Sequence, residues 1–246
     1  MRLYFPCWSD RVFFLCGVLM LCSEVWKQLV LTFSLGHGAY NWWYFPFQLC
    51  SIPMYVLLAY PWLRRESVRR MLLAFLMSFG LLGGIAVFAD TSGLMYPLSA
   101  LTVHSWTWHF LLILIGISAG VVYFQRLRSD AKNVLFSRAL SEMLPLRPFI
   151  HAAIFYLCCC ALAEIFNLTL DRYGLINMFY INPDLQMQQV IFRDLVPLIG
   201  NLPAIFVNNE TDRLNFGFRK IAVFLSNLPD LFRCIFIDPL LVVQRI

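Results

Sequence analysis

Apolar positions run through this chain in long blocks rather than in a two-residue or 3.6-residue alternation. Six blocks reach the roughly 20 residues a helix needs to cross a bilayer: 12–31, 44–63, 71–90, 105–124, 148–167 and 188–207. In hydrocarbon each backbone N–H and C=O must be satisfied within its own segment, so the blocks predict helices. Block one is long, contains Glu24 and Lys27 and lacks a small-residue cleavage site, so it reads as a span and not as a cleavable signal. The polar connection 125–147 contains an amphipathic stretch over 131–143. The apolar run 221–236 is broken by Pro229, Asp230 and Arg233, which predicts an interfacial helix in a 213–246 tail instead of a seventh span. The connection 168–187 is mostly apolar and predicts a lid or re-entrant piece over the outer face. With no internal repeat or long linker, residues 1–246 read as one all-α, polytopic membrane domain of six transmembrane helices.

Composition agrees with the pattern. The chain is 60% hydrophobic and 13% charged, with mean hydropathy +0.70; a soluble domain carries about a quarter charged residues. Charge then sets the orientation. With the N-terminus inside, segments 1–11, 64–70, 125–147 and 208–246 hold sixteen of the nineteen lysines and arginines. The positive-inside rule therefore predicts a multi-pass protein of the cell membrane with both termini cytoplasmic. A net charge of +5 reads as topology and contact with anionic lipid, and calls for no nucleic-acid partner. The eight cysteines lie mostly inside the blocks, so they predict no disulfide framework; Cys158, Cys159 and Cys160 read as small apolar residues. There is no Cys-x-x-Cys spacing and no glycine-rich phosphate loop, so no metal or cofactor is expected.

Depth is the informative coordinate. Counted from the cytoplasmic charges, Cys50 lies six residues inside the outer boundary of its block, roughly 9 Å at 1.5 Å per residue. His109 lies four inside, Glu164 three, Asp194 six, Arg193 five, Lys27 four and Glu24 seven, with His104 and Asn167 at the boundary. Ionisable groups in a bilayer cost about 2.5–3.5 kcal/mol each on insertion scales and mark either function or pairing. Polar groups from five of six blocks in one layer predict an outward-facing polar cavity. The competing reading is plain packing: Glu24 with Lys27 and Arg193 with Asp194 as ion pairs holding helices together, a lone cysteine as core, a histidine as an anchor in the aromatic belt.

Within that layer Cys50 and His109 form a candidate nucleophile and base. A thiol in apolar surroundings attacks only when a base takes its proton, and Glu164 or Asp194 is placed to orient that base. His104 competes for the role. It is five residues, about 140° of helical turn, from His109, so the two should not share a face, and depth favours His109. Pro46 suits a first helical turn, and Pro53, one turn further, predicts a kink beside the thiol.

The stretch Phe45-Pro46-Phe47-Gln48-Leu49-Cys50-Ser51, His109 followed by the apolar run 110–115, and Asn167 through Asn177, Tyr180 and Pro183 together resemble the YwaF-like bacterial integral membrane proteins. These are related to the eukaryotic acyltransferase transmembrane protein 164, and the resemblance covers residues 35–207. It implies a six-helix membrane fold with a cysteine–histidine pair, Cys50 and His109 here, acting on lipid esters. The expectation is an intramembrane lipid acyltransferase or lipid-ester hydrolase working through an acyl-thioester. Membrane lipids would be its partners, Gln48, Ser51 and Asn167 oxyanion donors, and Arg193 or Lys27 headgroup contacts. The alternatives are a small transporter or receptor-like protein binding a solute in the same cavity, and a structural subunit.

Overall fold

The computed structural model describes residues 8–131, 146–182 and 184–185, with side chains described to residue 127 in the first stretch. Every described element is helical. Helix α1 spans Trp8–Leu29 and runs into a π-helical turn at Val30–Leu35. Helix α2 is Ile52–Ala59, extended by a 3-10 turn at Tyr60–Trp62. Helix α3 (Glu66–Phe75) continues through a π-helical turn (Leu76–Gly80) into α4 (Leu81–Ile85) and a 3-10 turn (Ala86–Ala89). Helix α5 is Ser99–Ala131 and α6 is Leu146–Leu170. Four of the resulting helical stretches are long and apolar enough to cross a membrane: Trp8–Leu35, Glu66–Ala89, Ser99–Leu127 and Leu146–Tyr173. The protein is thus an all-helical, multi-pass membrane protein over its described residues.

The four spans cover the first, third, fourth and fifth apolar blocks. The second block departs from expectation. Its α-helix has eight residues, about 12 Å of rise, and residues 42–51 form turns instead. The reason is local. Asn41 caps a short 3-10 turn at Trp42–Tyr44 by accepting from the Trp43 N–H at 3.1 Å. The Gln48 carbonyl then accepts from both the Ser51 and Ile52 N–H groups. Pro53 consequently occupies the first turn of α2, where its missing N–H costs nothing, and produces no mid-helix kink. Pro46 lies in the turns, its carbonyl held by the Tyr55 hydroxyl at 2.8 Å. The sixth block (188–207), the 131–143 stretch and the 213–246 tail lie outside the described residues.

Glycines set how closely the helices approach. A Cβ at Gly17 of α1 would stand 2.9 Å from the Leu57 Cβ of α2, and one at Gly116 of α5 only 2.7 Å from the Leu81 Cβ of α4. Gly84 brings α4 equally close to Leu112 and Ile113 of α5. Helix α3 packs along α6. Leu57, Leu73, Phe75, Leu76, Met77, Leu101 and Ala119 fill the centre with no exposed surface.

At the Asp10 end of α1 a buried ion network ties four segments together. Asp10 accepts from Arg69 of α3 at 2.8 Å and from Arg126 of α5 at 2.9 Å. Arg126 also reaches Glu66 at 3.3 Å. Arg69 donates to the Tyr60 and Leu63 carbonyls at 3.2 and 3.1 Å, and its guanidinium stacks 4.1 Å over the Tyr60 ring. Asp10, Arg69 and Arg126, which the sequence assigned to cytoplasmic segments, thus meet in one network at this end of the bundle.

Candidate functional site

Cys50 ends the turn that leads into α2 and is half-buried. Its backbone is fixed on two sides. The Trp108 indole N–H of α5 donates to the Cys50 carbonyl at 3.1 Å. On the other side Gly83 leaves room for the segment, since a Cβ there would meet the Leu49 side chain at 3.3 Å and the Cys50 nitrogen at 3.5 Å. Gly83 and Gly84 thus form a saddle between the Cys50 turn and the α5 turn at Leu112–Ile113. His109 lies one helical turn from those residues and directly follows Trp108. Ser51 follows Cys50 directly and is buried at the start of α2.

His109 is 8% exposed, and its Nδ1 lies 2.8 Å from the Ser105 carbonyl one turn earlier. A carbonyl can only accept, so Nδ1 carries the proton and the Nε2 lone pair is available. Nε2 has no hydrogen-bond partner among the described residues. His104 is differently placed. Its ring lies 5.6 Å from both the Trp26 and Trp108 rings, and its Nε2 is buried with no hydrogen-bond partner among the described residues. Two indoles enclose it, which suits a packed anchor.

Glu24 and Lys27 form a 2.8 Å ion pair within α1, not the pair across helices that one of the two sequence readings expected. Gln28 joins it, its amide N–H group donating to Glu24 and to the Tyr44 carbonyl, each at 2.7 Å.

Gln48 and Asn167 engage the loop that follows α6. Gln48 donates to the Asn177 carbonyl and accepts from the Phe179 N–H, both at 2.8 Å. Asn167 accepts from the Met178 N–H at 2.7 Å and donates to the Met178 carbonyl at 3.2 Å. Each side chain pairs with the loop backbone as a neighbouring strand would. Together they hold a segment in which Phe179 and Tyr180 have φ of 56° and 57°, a left-handed conformation costly for aromatic residues. Asn177 and Asn182 brace the loop from within, Asn182 N–H to Asn177 at 3.1 Å and Asn182 to the Ile176 carbonyl at 2.8 Å. Glu164 contacts Asn167 at 3.5 Å and belongs with this clamp. Arg193 and Asp194 lie outside the described residues.

Several site groups had no role assigned from the sequence, Tyr180 entering only through the resemblance. Tyr96, before α5, and Tyr180, in the clamped loop, lie within electrostatic reach of Cys50. Burial pushes both phenols above their ordinary value, with neighbouring Tyr44 adding to the effect on Tyr96, so both are neutral donors at physiological pH. Trp108, Gln28 and the Gly83–Gly84 saddle were equally silent, because their partners are remote in sequence. Among the described residues no three His, Cys, Asp or Glu side chains converge on a common point. No family model matches this chain, and neither the curated proteins nor the solved structures contain a match to it.

Proposed function

We propose that the protein is an intramembrane lipid acyltransferase or lipid-ester hydrolase that uses Cys50 as nucleophile and His109 as base. The observation that carries the reading is the Nδ1–H bond from His109 to the Ser105 carbonyl. It fixes the tautomer a general base requires, on the helix whose preceding residue holds the Cys50 carbonyl.

In this reading His109 Nε2 takes the Cys50 proton as the sulfur attacks the acyl carbonyl carbon of a phospholipid. The tetrahedral oxyanion is met by Ser51 and by the neutral phenols of Tyr96 and Tyr180. As the C–O bond breaks, the leaving alkoxide takes the proton from His109, and an acyl-thioester remains on Cys50. An acceptor hydroxyl, from a lysolipid or water, then gives its proton to His109 and attacks the thioester; the departing thiolate is reprotonated. Lys27, paired with Glu24, is assigned the lipid phosphate. Gln48 and Asn167 support the reaction indirectly, by holding the Tyr180 loop. We further propose the cell membrane as the site of action, with both termini cytoplasmic, and kinship with the YwaF-like proteins.

The test is to incubate purified protein with a phospholipid labelled in its acyl chain. Hydroxylamine-sensitive label on Cys50, lost in Cys50→Ala and strongly slowed in His109→Ala, is the expected result. Lipid turnover unchanged in both variants would overturn the assignment. No observation favours the transporter reading specifically: transport sites use polar groups at the midplane in broken helices of related halves, and the chain shows no repeat.

A further inference from the structure

A lateral cleft of about 260 Å³ runs along the side of the bundle. Its rim is hydrocarbon, chiefly Leu21, Val25 and Leu29 of α1 with Tyr55 of α2, and Glu24 and Gln28 lie on its floor. The cleft follows α1 from residue 21 to residue 32, about 16 Å of rise. The rim side chains are exposed, from 39% at Leu21 to 52% at Leu29, on a helix that spans the membrane, so lipid is what meets them.

The Gln28 amide has a determined orientation. Both groups at its nitrogen, the Glu24 carboxylate and the Tyr44 carbonyl, are acceptors, so the NH2 must face them. The carbonyl Oε1 is left buried, with no hydrogen-bond partner among the described residues. A buried acceptor without a donor costs about 1–3 kcal/mol, and a hydroxyl reaching the floor of the cleft would relieve it. The volume is below the roughly 300–1,000 Å³ of sites that enclose a drug-sized molecule, which suits one acyl chain and not two.

We propose that this cleft is the acceptor site: it takes a single-chain lysolipid from the bilayer and hydrogen-bonds its free hydroxyl to Gln28 Oε1. This rests on the reading of Cys50 as acyl carrier, since Pro46 and Met54, on either side of Cys50 in the chain, line the cleft and Gln28 holds the Tyr44 carbonyl of the same segment.

The test uses the full chain in nanodiscs, carrying Cys50→Ala so that no chemistry intervenes, and a lysophosphatidylcholine with a diazirine in mid-chain. Crosslinks should fall on Leu21, Val25, Leu29 and Tyr55 and disappear in Val25→Trp, which fills the cleft. Unlabelled lysophosphatidylcholine should compete at least about tenfold better than the diacyl lipid. Gln28→Leu should weaken competition by about tenfold, one hydrogen bond's worth, yet leave the 2-deoxy lysolipid unaffected. Equal competition by diacyl lipid, crosslinks spread equally over Ile154, Leu162 and Ile165 of α6, or a Gln28→Leu variant that treats the two lysolipids alike would overturn the proposal. Should Val25→Trp not fold, the Gln28→Leu comparison decides alone. Loss of Cys50 labelling with crosslinking intact would sink the enzyme reading and spare the site.

Discussion

Asp10 and Arg69 are 2.8 Å apart with no exposed side-chain surface on either partner. Removing one partner of such a pair strands the other in a medium that solvates charge poorly, at about 3–5 kcal/mol. Asp10→Ala should therefore lower the Tm of the detergent-solubilised protein sharply, because both Arg69 and Arg126 lose their shared carboxylate. Glu66→Gln should cost no more than about 1 kcal/mol, since that carboxylate is 46% exposed. Equal losses in the two variants would show that burial does not set the value of this network.

Helix spacing gives a second contrast. Gly116→Ala places a methyl 2.7 Å from the Leu81 Cβ and 3.1 Å from its Cα, so the backbone must yield, at about 1–3 kcal/mol. Gly93→Ala meets nothing within 4 Å and should leave the Tm unchanged. Thermal unfolding of the two variants side by side checks the claim, which fails if Gly116→Ala is neutral.

The amide clamps predict a local effect. Gln48→Leu removes two hydrogen bonds to the 177–179 backbone while keeping the side-chain size. Amide exchange should speed up over 176–182 and remain unchanged around Arg69 and Tyr60. Thioester formation at Cys50 should fall as well, because Tyr180 loses its anchor. Unaltered exchange in the loop would remove this role from Gln48.

Alkaline pH offers a readout at Tyr40, between α1 and the Trp42–Tyr44 turn. Burial, with smaller contributions from Glu24 and Tyr55, pushes its phenol up to about 12 from 10. The folded state keeps the proton after the unfolded state has lost it, so the unfolded state binds fewer protons between those values and stability falls as pH rises. The contribution is whole below pH 10 and is lost on the way to about 12. Phenolate absorbance should lag in the folded wild type and show one fewer late-titrating group in Tyr40→Phe.

Four of the spans could be read directly because a block of leucine, isoleucine and phenylalanine of the right length leaves the backbone no other solution in lipid. The second block misled for the same reason: hydropathy counts Trp42 to Phe47 as apolar, but does not register the Asn41 cap or the doubly accepting Gln48 carbonyl, which turn the chain before Ile52. Depth counting placed Cys50, His109, Glu24 and Lys27 in one layer, and the structure pairs Glu24 with Lys27 within α1. What depth could not supply was the partner of each polar group. Gln48 finds its loop 129 positions away and Trp108 finds Cys50 58 positions away, and no periodicity encodes such a distance. Arginines counted only as orientation markers, Arg69 and Arg126, turned out to share a buried acid.

That shared acid also orders how the chain is assembled. Asp10 is synthesised 116 positions before Arg126, and domains form from the N-terminus as the chain emerges. A first helix delivered to the bilayer alone carries a carboxylate whose two guanidinium partners do not yet exist, so it must wait with Asp10 at the aqueous edge. Only when α3 and then α5 arrive can that end of α1 settle inward. The last described cation of the network acts in this way as the latch on a bundle built in sequence, and a chain truncated before residue 126 should be the substrate of membrane quality control.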